Sequence, residues 1–226
     1  MMRTAFACAA AMAVLLTAGA ASAQGAPEVA WNLGVTSDYA FRGYSQTAGD
    51  PAVFGGVDVT AGSFYAGAWA SNVDFGDDTD AEVDLYGGYR TEVSGFAIDV
   101  GVVGYLYVSQ PAGADYDYVE LKAAASRAIG PLTLGAAVYW SPDFFGADEE
   151  AAYVEANAAF SPADRWTVSG AVGHQALDVN ADYATWNAGV VYAISDNVAV
   201  DVRYHDTDVT SPLSDDRVVA TLKFLF

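Results

Sequence analysis

Residues 217–226 read RVVATLKFLF, and the chain ends on the last phenylalanine of this stretch. Small or large apolar side chains occupy every second position, namely Val218, Ala220, Leu222, Phe224 and Phe226. Polar side chains occupy three of the alternate positions, namely Arg217, Thr221 and Lys223. Because successive side chains of a strand point to opposite faces, one face suits hydrocarbon and the other suits water. The pattern predicts a transmembrane β-strand.

The same alternation recurs along the chain, most clearly in Phe96–Val108. Apolar side chains at every second position predict twelve strands, the first over Val29–Phe41. Short connections are predicted at Ala61–Ser63, Thr91–Gly95, Ala128–Pro131, Ser161–Arg165 and Ser195–Asn197. Longer ones are predicted at Arg42–Asp50, Asn72–Asp80, Ser109–Tyr116, Pro142–Glu150, Gln175–Asp182 and Thr207–Asp215.

This alternation of short and long connections predicts the fold class. We expect an all-β, antiparallel, up-and-down transmembrane β-barrel of about twelve strands, with both termini at the short-turn end in the periplasm. The segments Ala52–Thr60 and Phe64–Ser71 have the least regular pattern, so a count of ten strands stays open. The terminal Phe226 resembles the assembly signal of bacterial outer-membrane barrels.

The first 23 residues have the pattern of an exported protein. A single early positive charge, Arg3, precedes an apolar stretch that ends in an Ala-Ser-Ala site at residues 21–23. This predicts a cleaved signal peptide over 1–23 and a barrel domain over 24–226. An N-terminal membrane anchor is the alternative, and the short Ala-rich run disfavours it. The single cysteine, Cys8, lies inside the predicted signal, so the mature barrel has no disulfide.

Composition limits the possible functions. The chain carries 29 acidic and 9 basic residues, a formal charge of −20, so its surface repels nucleic acid and attracts cations. Expected partners are outer-membrane lipid and lipopolysaccharide, the barrel-assembly machinery, periplasmic chaperones, and small solutes or cations. No cofactor is expected.

Three stretches carry a family resemblance: SDYAFRGYSQT at 37–47, FYAGAWASNVDF at 64–75 and EVDLYGGY at 82–89. Together they resemble the TorF family of porins, formerly grouped as conserved hypothetical exported proteins. The resemblance spans the mature chain, although its specific motifs lie in the first third. It implies a Gram-negative outer-membrane barrel and supplies no catalytic residue.

Charged and aromatic side chains on the inward faces are candidates for lining a pore. These are Glu82, Asp84, Asp99, Glu120, Lys122, Glu155, Asp201, Arg203, His205, Arg217, Lys223, Tyr105 and Tyr107. We expect Glu82 and Asp84 to face Arg203 and Arg217 across the lumen, and Asp99 to face Lys223 lower down. Opposed charges of this kind would create a transverse field in a narrow wet pore. The alternative is a plugged lumen in which the charges neutralise one another.

The loops add candidates at the mouth, namely Arg42, Asp74, Asp77, Asp78 and Asp80. Arg42 either pairs with Asp38 or an acidic loop, which would fold a loop inward, or is a solvated surface cation. The acidic stretch 74–80 lacks a glycine at the EF-hand spacing and a distal glutamate, so we predict no metal site. Solvated acids and loose divalent bridging to lipopolysaccharide both stay open.

Catalysis has little support in the sequence. Of two histidines, His205 lies beside Asp206, which points to the other strand face, and His174 has no nucleophile at a recognisable spacing. We therefore expect no enzyme, although an outer-membrane hydrolase remains a third alternative. The main expectation is a narrow, cation-preferring channel for small hydrophilic solutes. A non-conducting barrel that displays acidic loops competes with it.

Overall fold

The computed structural model describes residues 26–147, 149–178 and 180–226. The predicted signal peptide and Cys8 lie outside these described residues. No helix in the described part of the chain is long and apolar enough to cross a membrane. The strands are β1 (Glu28–Thr36), β2 (Ala40–Phe41), β3 (Tyr44–Ser45), β4 (Ala52–Ala61), β5 (Phe64–Asn72), β6 (Ala81–Val93), β7 (Phe96–Val108), β8 (Tyr118–Ile129), β9 (Leu132–Ser141), β10 (Ala151–Ala163), β11 (Trp166–Leu177), β12 (Tyr183–Ser195), β13 (Val198–Thr207) and β14 (Arg217–Leu225).

All strands except β2 and β3 form one closed antiparallel barrel, in which each strand pairs with its neighbour in the chain. The predicted twelve strands and up-and-down topology are confirmed. The two segments with the least regular pattern are the full strands β4 and β5. The ten-strand alternative is therefore wrong.

The ring closes between the first strand and the last. β14 pairs with β1, with Leu222 opposite Val35 and Leu225 opposite Asn32. Beyond the strand end, Trp31 and Phe226 exchange two backbone hydrogen bonds of 3.0 and 2.9 Å. Closure leaves no unpaired strand edge at this seam, as a barrel in lipid requires.

The two faces of the wall differ as the alternation predicts. Outward side chains are apolar and exposed, for example Leu121 at 53% and Val102 at 42%. Inward neighbours are polar and buried, for example Glu120 at 1% and Lys122 at 7%. The polar interior and apolar exterior are those of a membrane barrel, the reverse of a soluble barrel.

The first strand ends earlier than predicted. β1 stops at Thr36, and Ser37 makes the last backbone bond to the wall, donating to Ala220 O at 2.9 Å. The prediction of a strand to Phe41 was wrong because residues 37–51 leave the wall and form a second, two-stranded sheet, β2 and β3. We call residues 37–51 the lumenal hairpin.

Candidate functional site: a hairpin across the lumen

The lumenal hairpin turns at Arg42-Gly43. Phe41 pairs with Tyr44 on either side of this turn. Both turn residues have positive φ, 46° for Arg42 and 87° for Gly43, as in a two-residue type I′ hairpin. A side chain at position 43 would collide with Thr207 and Thr185, so glycine serves both the backbone angle and the close approach to the wall.

Asp38 organises the base of the hairpin. Its carboxylate accepts hydrogen bonds from Ser45 Oγ at 2.6 Å and Thr47 Oγ1 at 3.0 Å, both within the hairpin. It also accepts one from Arg217 Nη1 of β14 at 2.6 Å. One carboxylate therefore shapes the hairpin and ties it to the closing strand.

Arg42 holds the hairpin tip against the far wall. Its two terminal nitrogens each donate to one oxygen of Glu120, both at 2.7 Å, and Nη1 also donates to Gln175 at 3.0 Å. The guanidinium lies 4.3 Å from the ring centre of Tyr153 and 5.0 Å from that of Tyr139. A bidentate pair with cation–π contacts is the geometry in which arginine is difficult to replace.

The position of Arg42 corrects its predicted place at the mouth. Only 8% of its surface is exposed, and its acidic partner is Glu120 rather than Asp38 or the 74–80 loop. Burial alone would lower the pKa of this guanidinium, but the adjacent Glu120 carboxylate raises it above its ordinary value, so Arg42 stays charged. The segment that folds inward is the hairpin, and Arg42 holds it through Glu120, which was not one of the partners expected from the sequence.

The hairpin reaches the opposite side of the barrel. Arg42 contacts Tyr139 of β9, which lies six strands from β1 in either direction around the ring. On a third side, Tyr39 OH donates to Glu82 Oε1 of β6 at 2.8 Å. The hairpin is therefore bonded to the wall in three directions and spans the lumen.

The inward acids of β6 face the hairpin. Glu82 and Asp84 are 2% and 5% exposed, and no side chain or backbone group of the described ranges hydrogen-bonds to Asp84 Oδ1. Of the two cations predicted to face them, Arg217 binds Asp38 of the hairpin and Arg203 binds Asp201 of its own strand. The opposition across the lumen stays a prediction.

A second charged cluster lies lower on the β6–β8 wall. Asp99 accepts from Lys122 at 2.8 Å, from Tyr65 OH at 2.7 Å and from Arg90 at 3.2 Å. Asp99 therefore has cations on its own side of the barrel. Lys223 lies buried on the inner face of β14, and its opposition to Asp99 across the lumen stays a prediction.

The remaining inward candidates form two further groups. Arg203 donates to Asp201, Asn187 and Ser169 at 3.1, 2.7 and 2.9 Å, and His205 is buried above it on the same strand. Glu155 accepts hydrogen bonds from Tyr153 at 3.2 Å and Asn157 at 3.0 Å. Tyr105 donates to Glu120 at 3.0 Å, and Tyr107 is buried nearby.

The acidic loop 73–80 lies over the hairpin. Asp74 N donates to Gln46 O at 2.7 Å, and Asp77 accepts from Tyr116 OH of the next loop at 3.0 Å. The carboxylates of Asp74, Asp77, Asp78 and Asp80 are exposed. Among the described residues, no group of three or more His, Cys, Asp or Glu side chains is arranged to hold a metal ion.

Sequence reasoning missed the residues that receive the hairpin. Gln175 and Tyr39 were not candidates, although each makes one of its contacts with the wall. The turn itself had a signal in the sequence, because Gly43 lies in a two-residue connection between Phe41 and Tyr44 and glycine is common in tight hairpin turns. The partners had none, because Arg42 and Gln175 are 133 residues apart in sequence.

A family model described as bacterial protein of unknown function, Gcw_chp, matches residues 20–224. The chain belongs to the Gcw_chp family. No curated protein matches the sequence.

Among solved structures, this Gcw_chp protein is similar to the KdgM porin, with a TM-score of 0.60 and 9% sequence identity over 89% of this chain and 98% of that one. It is also similar to the COG4313 outer membrane channel of Pseudomonas putida F1, with a TM-score of 0.55 and 9% identity over 93% and 98% of the two chains. The shared feature is the fold, that of outer-membrane barrels.

Proposed function

We propose that this protein is an outer-membrane channel for small hydrophilic solutes, narrowed by the lumenal hairpin and selective for cations. The observation that carries the proposal is the hairpin itself, whose tip meets the wall opposite its base inside a polar lumen. A loop of this kind limits the size of what passes while the wall around it stays intact.

The polar lumen supports passage of water and solutes. Inward charges such as Asp99, Lys122 and Arg203 make the inner wall polar, as the linings of aqueous channels are. The inward charged and tyrosine residues predicted from the sequence would line this pore. Similarity to channel-forming barrels is consistent with it.

Cation preference follows from charge. The formal charge of −20 and the exposed acids of the 73–80 loop would raise the cation concentration at the mouth. One solved KdgM porin structure holds a disordered oligogalacturonate. Uronates carry carboxylates, and we expect this acidic chain to disfavour such solutes.

We propose that the protein is exported and assembled in the outer membrane. A signal peptide over 1–23 directs export, Phe226 is read by the assembly machinery, and both termini face the periplasm. The TorF resemblance belongs to the same proposal. Expected contacts at the outer rim are with lipopolysaccharide.

A non-conducting barrel is the second candidate. It is favoured by the hydrogen bonds that fix the hairpin on three sides, through Asp38, Tyr39 and Arg42. A hydrolase has weaker support. His174 lies 3.5 Å from Asp182, with half of each side chain exposed, but Ser169 is engaged by Arg203.

Planar-bilayer recording distinguishes these candidates. The protein used should be folded, as shown by heat-modifiable migration in gel electrophoresis. It should give reproducible small conductance steps, and in a KCl gradient the reversal potential should shift toward the equilibrium potential of K⁺. The displacement should shrink in the double variant Asp78→Asn with Asp80→Asn and at high salt, where mouth charges are screened. Folded protein that produces no steps would establish the non-conducting barrel instead.

A further inference from the structure

Glu82 and Asp84 form a pair of buried acids on β6. They are two residues apart, so their side chains share the inward face of the strand. Their exposures are 2% and 5%, and the two carboxyl groups lie within hydrogen-bonding reach of each other.

The groups around the pair supply little positive charge. Those near it are Tyr39 from the hairpin, Trp69 from β5, Tyr86 from β6 itself, Tyr105 and Tyr107 from β7, and Tyr118 and Glu120 from β8. Arg42 is the cation at this level, and Glu120 binds both of its terminal nitrogens. The charge of Arg42 is therefore balanced by Glu120, and Glu82 and Asp84 form no salt bridge with any described residue.

Hydrogen bonding leaves the pair incomplete. Glu82 accepts from Tyr39 OH at 2.8 Å, whereas Asp84 Oδ1 has no hydrogen-bond partner among the residues that the structure describes. Trp69 lies directly opposite Asp84 on the neighbouring strand, and its Nε1 also lacks a partner. Within the described part of the chain, this buried carboxylate oxygen therefore accepts no hydrogen bond.

Two adjacent ionised carboxylates in such a place would repel each other and lose their hydration. A single proton relieves both effects, because it converts one carboxylate into a donor for the other. We propose that Glu82 and Asp84 are a proton-binding site that shares one proton, and that this proton keeps the hairpin in place through Tyr39.

The consequence is a pH-dependent hairpin. When the pH rises enough to remove the proton, a second negative charge appears beside the Tyr39–Glu82 bond and close to the Glu120–Arg42 pair. Glu82 and Asp84 then repel each other, and Glu82 is pushed out of the position in which it accepts the hydrogen bond from Tyr39 OH. The hairpin loses this contact with the wall. Conductance should increase as the pH rises and should fall again when the proton returns.

Infrared spectroscopy tests the proton directly and does not depend on the proposed channel activity. The wild-type-minus-variant difference spectrum at neutral pH should show the carbonyl stretch of one protonated carboxylic acid, with its deuterium shift, for both Asp84→Asn and Glu82→Gln. The band should disappear from the wild type at high pH. A wild type without the band, or a band that survives in either variant, would overturn the shared proton.

Conductance as a function of pH tests whether the proton controls the hairpin. This second experiment rests on the proposed channel function. Asp84→Asn mimics the protonated state, so its conductance should stay at the low-pH level throughout. Asp164→Asn removes an exposed acid from a short turn, and its conductance should depend on pH as that of the wild type does. Equal pH dependence in Asp84→Asn and wild type would refute the gating role, as would a wild-type response that follows added calcium or EDTA instead of pH.

Discussion

Arg42 is the residue on which the position of the hairpin depends. Its bond to Glu120 is a buried bidentate ion pair, with exposed side-chain fractions of 6% and 1%. Removing one partner of such a pair leaves the other charge buried and uncompensated, which destabilises the arrangement by about 3–5 kcal/mol. The effect should fall on the hairpin, because the twelve-stranded wall has its own hydrogen bonds.

Arg42→Met is therefore expected to release the hairpin tip and raise single-channel conductance severalfold without unfolding the barrel. Adding Glu120→Gln should recover part of the lost order, because it removes the unpaired charge. Arg127→Met, which removes an exposed cation from β8, is the matched control and should leave conductance unchanged. An unaltered conductance in Arg42→Met would show that the tip is held by other contacts.

At the scale of elements, the sequence predicted the wall well and the hairpin poorly. Strands such as β7 and β14 follow from period-two alternation, because lipid and lumen impose different chemistry on the two faces. The hairpin keeps aromatic and polar residues in alternation too, so Tyr39–Phe41 looked like more strand. What distinguishes it is contact with β8 and β11, and local sequence carries no signal for contacts made across a lumen.

The hairpin is an insertion between two strands that already pair. Thr36 and Ala52 are partners in the β1–β4 register, so a short turn can join them after residues 38–50 are removed. We expect this deletion variant to assemble and retain heat-modifiable migration, and to show a larger conductance than the wild type. Shortening the 109–117 loop is the control, since that loop makes none of the hydrogen bonds that hold the hairpin to the wall. A deletion variant with wild-type conductance would place the constriction elsewhere.

At the scale of the molecule, the barrel separates an apolar exterior from a charged interior. The separation is sharp enough that neighbouring residues of one strand differ: Val102 is 42% exposed, and Val103 is 3% exposed and lies opposite Glu120. Stability in lipid therefore depends on which face a charge is placed on, and on its depth in the membrane. This gives a test of the membrane embedding itself.

Val102 lies at the middle of β7 and faces outward, whereas Val93 faces outward at the end of β6. A lysine at the bilayer midplane destabilises a membrane barrel by about 2–4 kcal/mol, and one near the interface by about 0–1 kcal/mol. Val102→Lys should therefore lower the free energy of unfolding from lipid vesicles, measured by urea titration, far more than Val93→Lys. In a detergent micelle, which adapts to the protein surface, the difference should shrink. Equal losses in vesicles would mean that the apolar outer wall is not centred on the hydrocarbon of the bilayer.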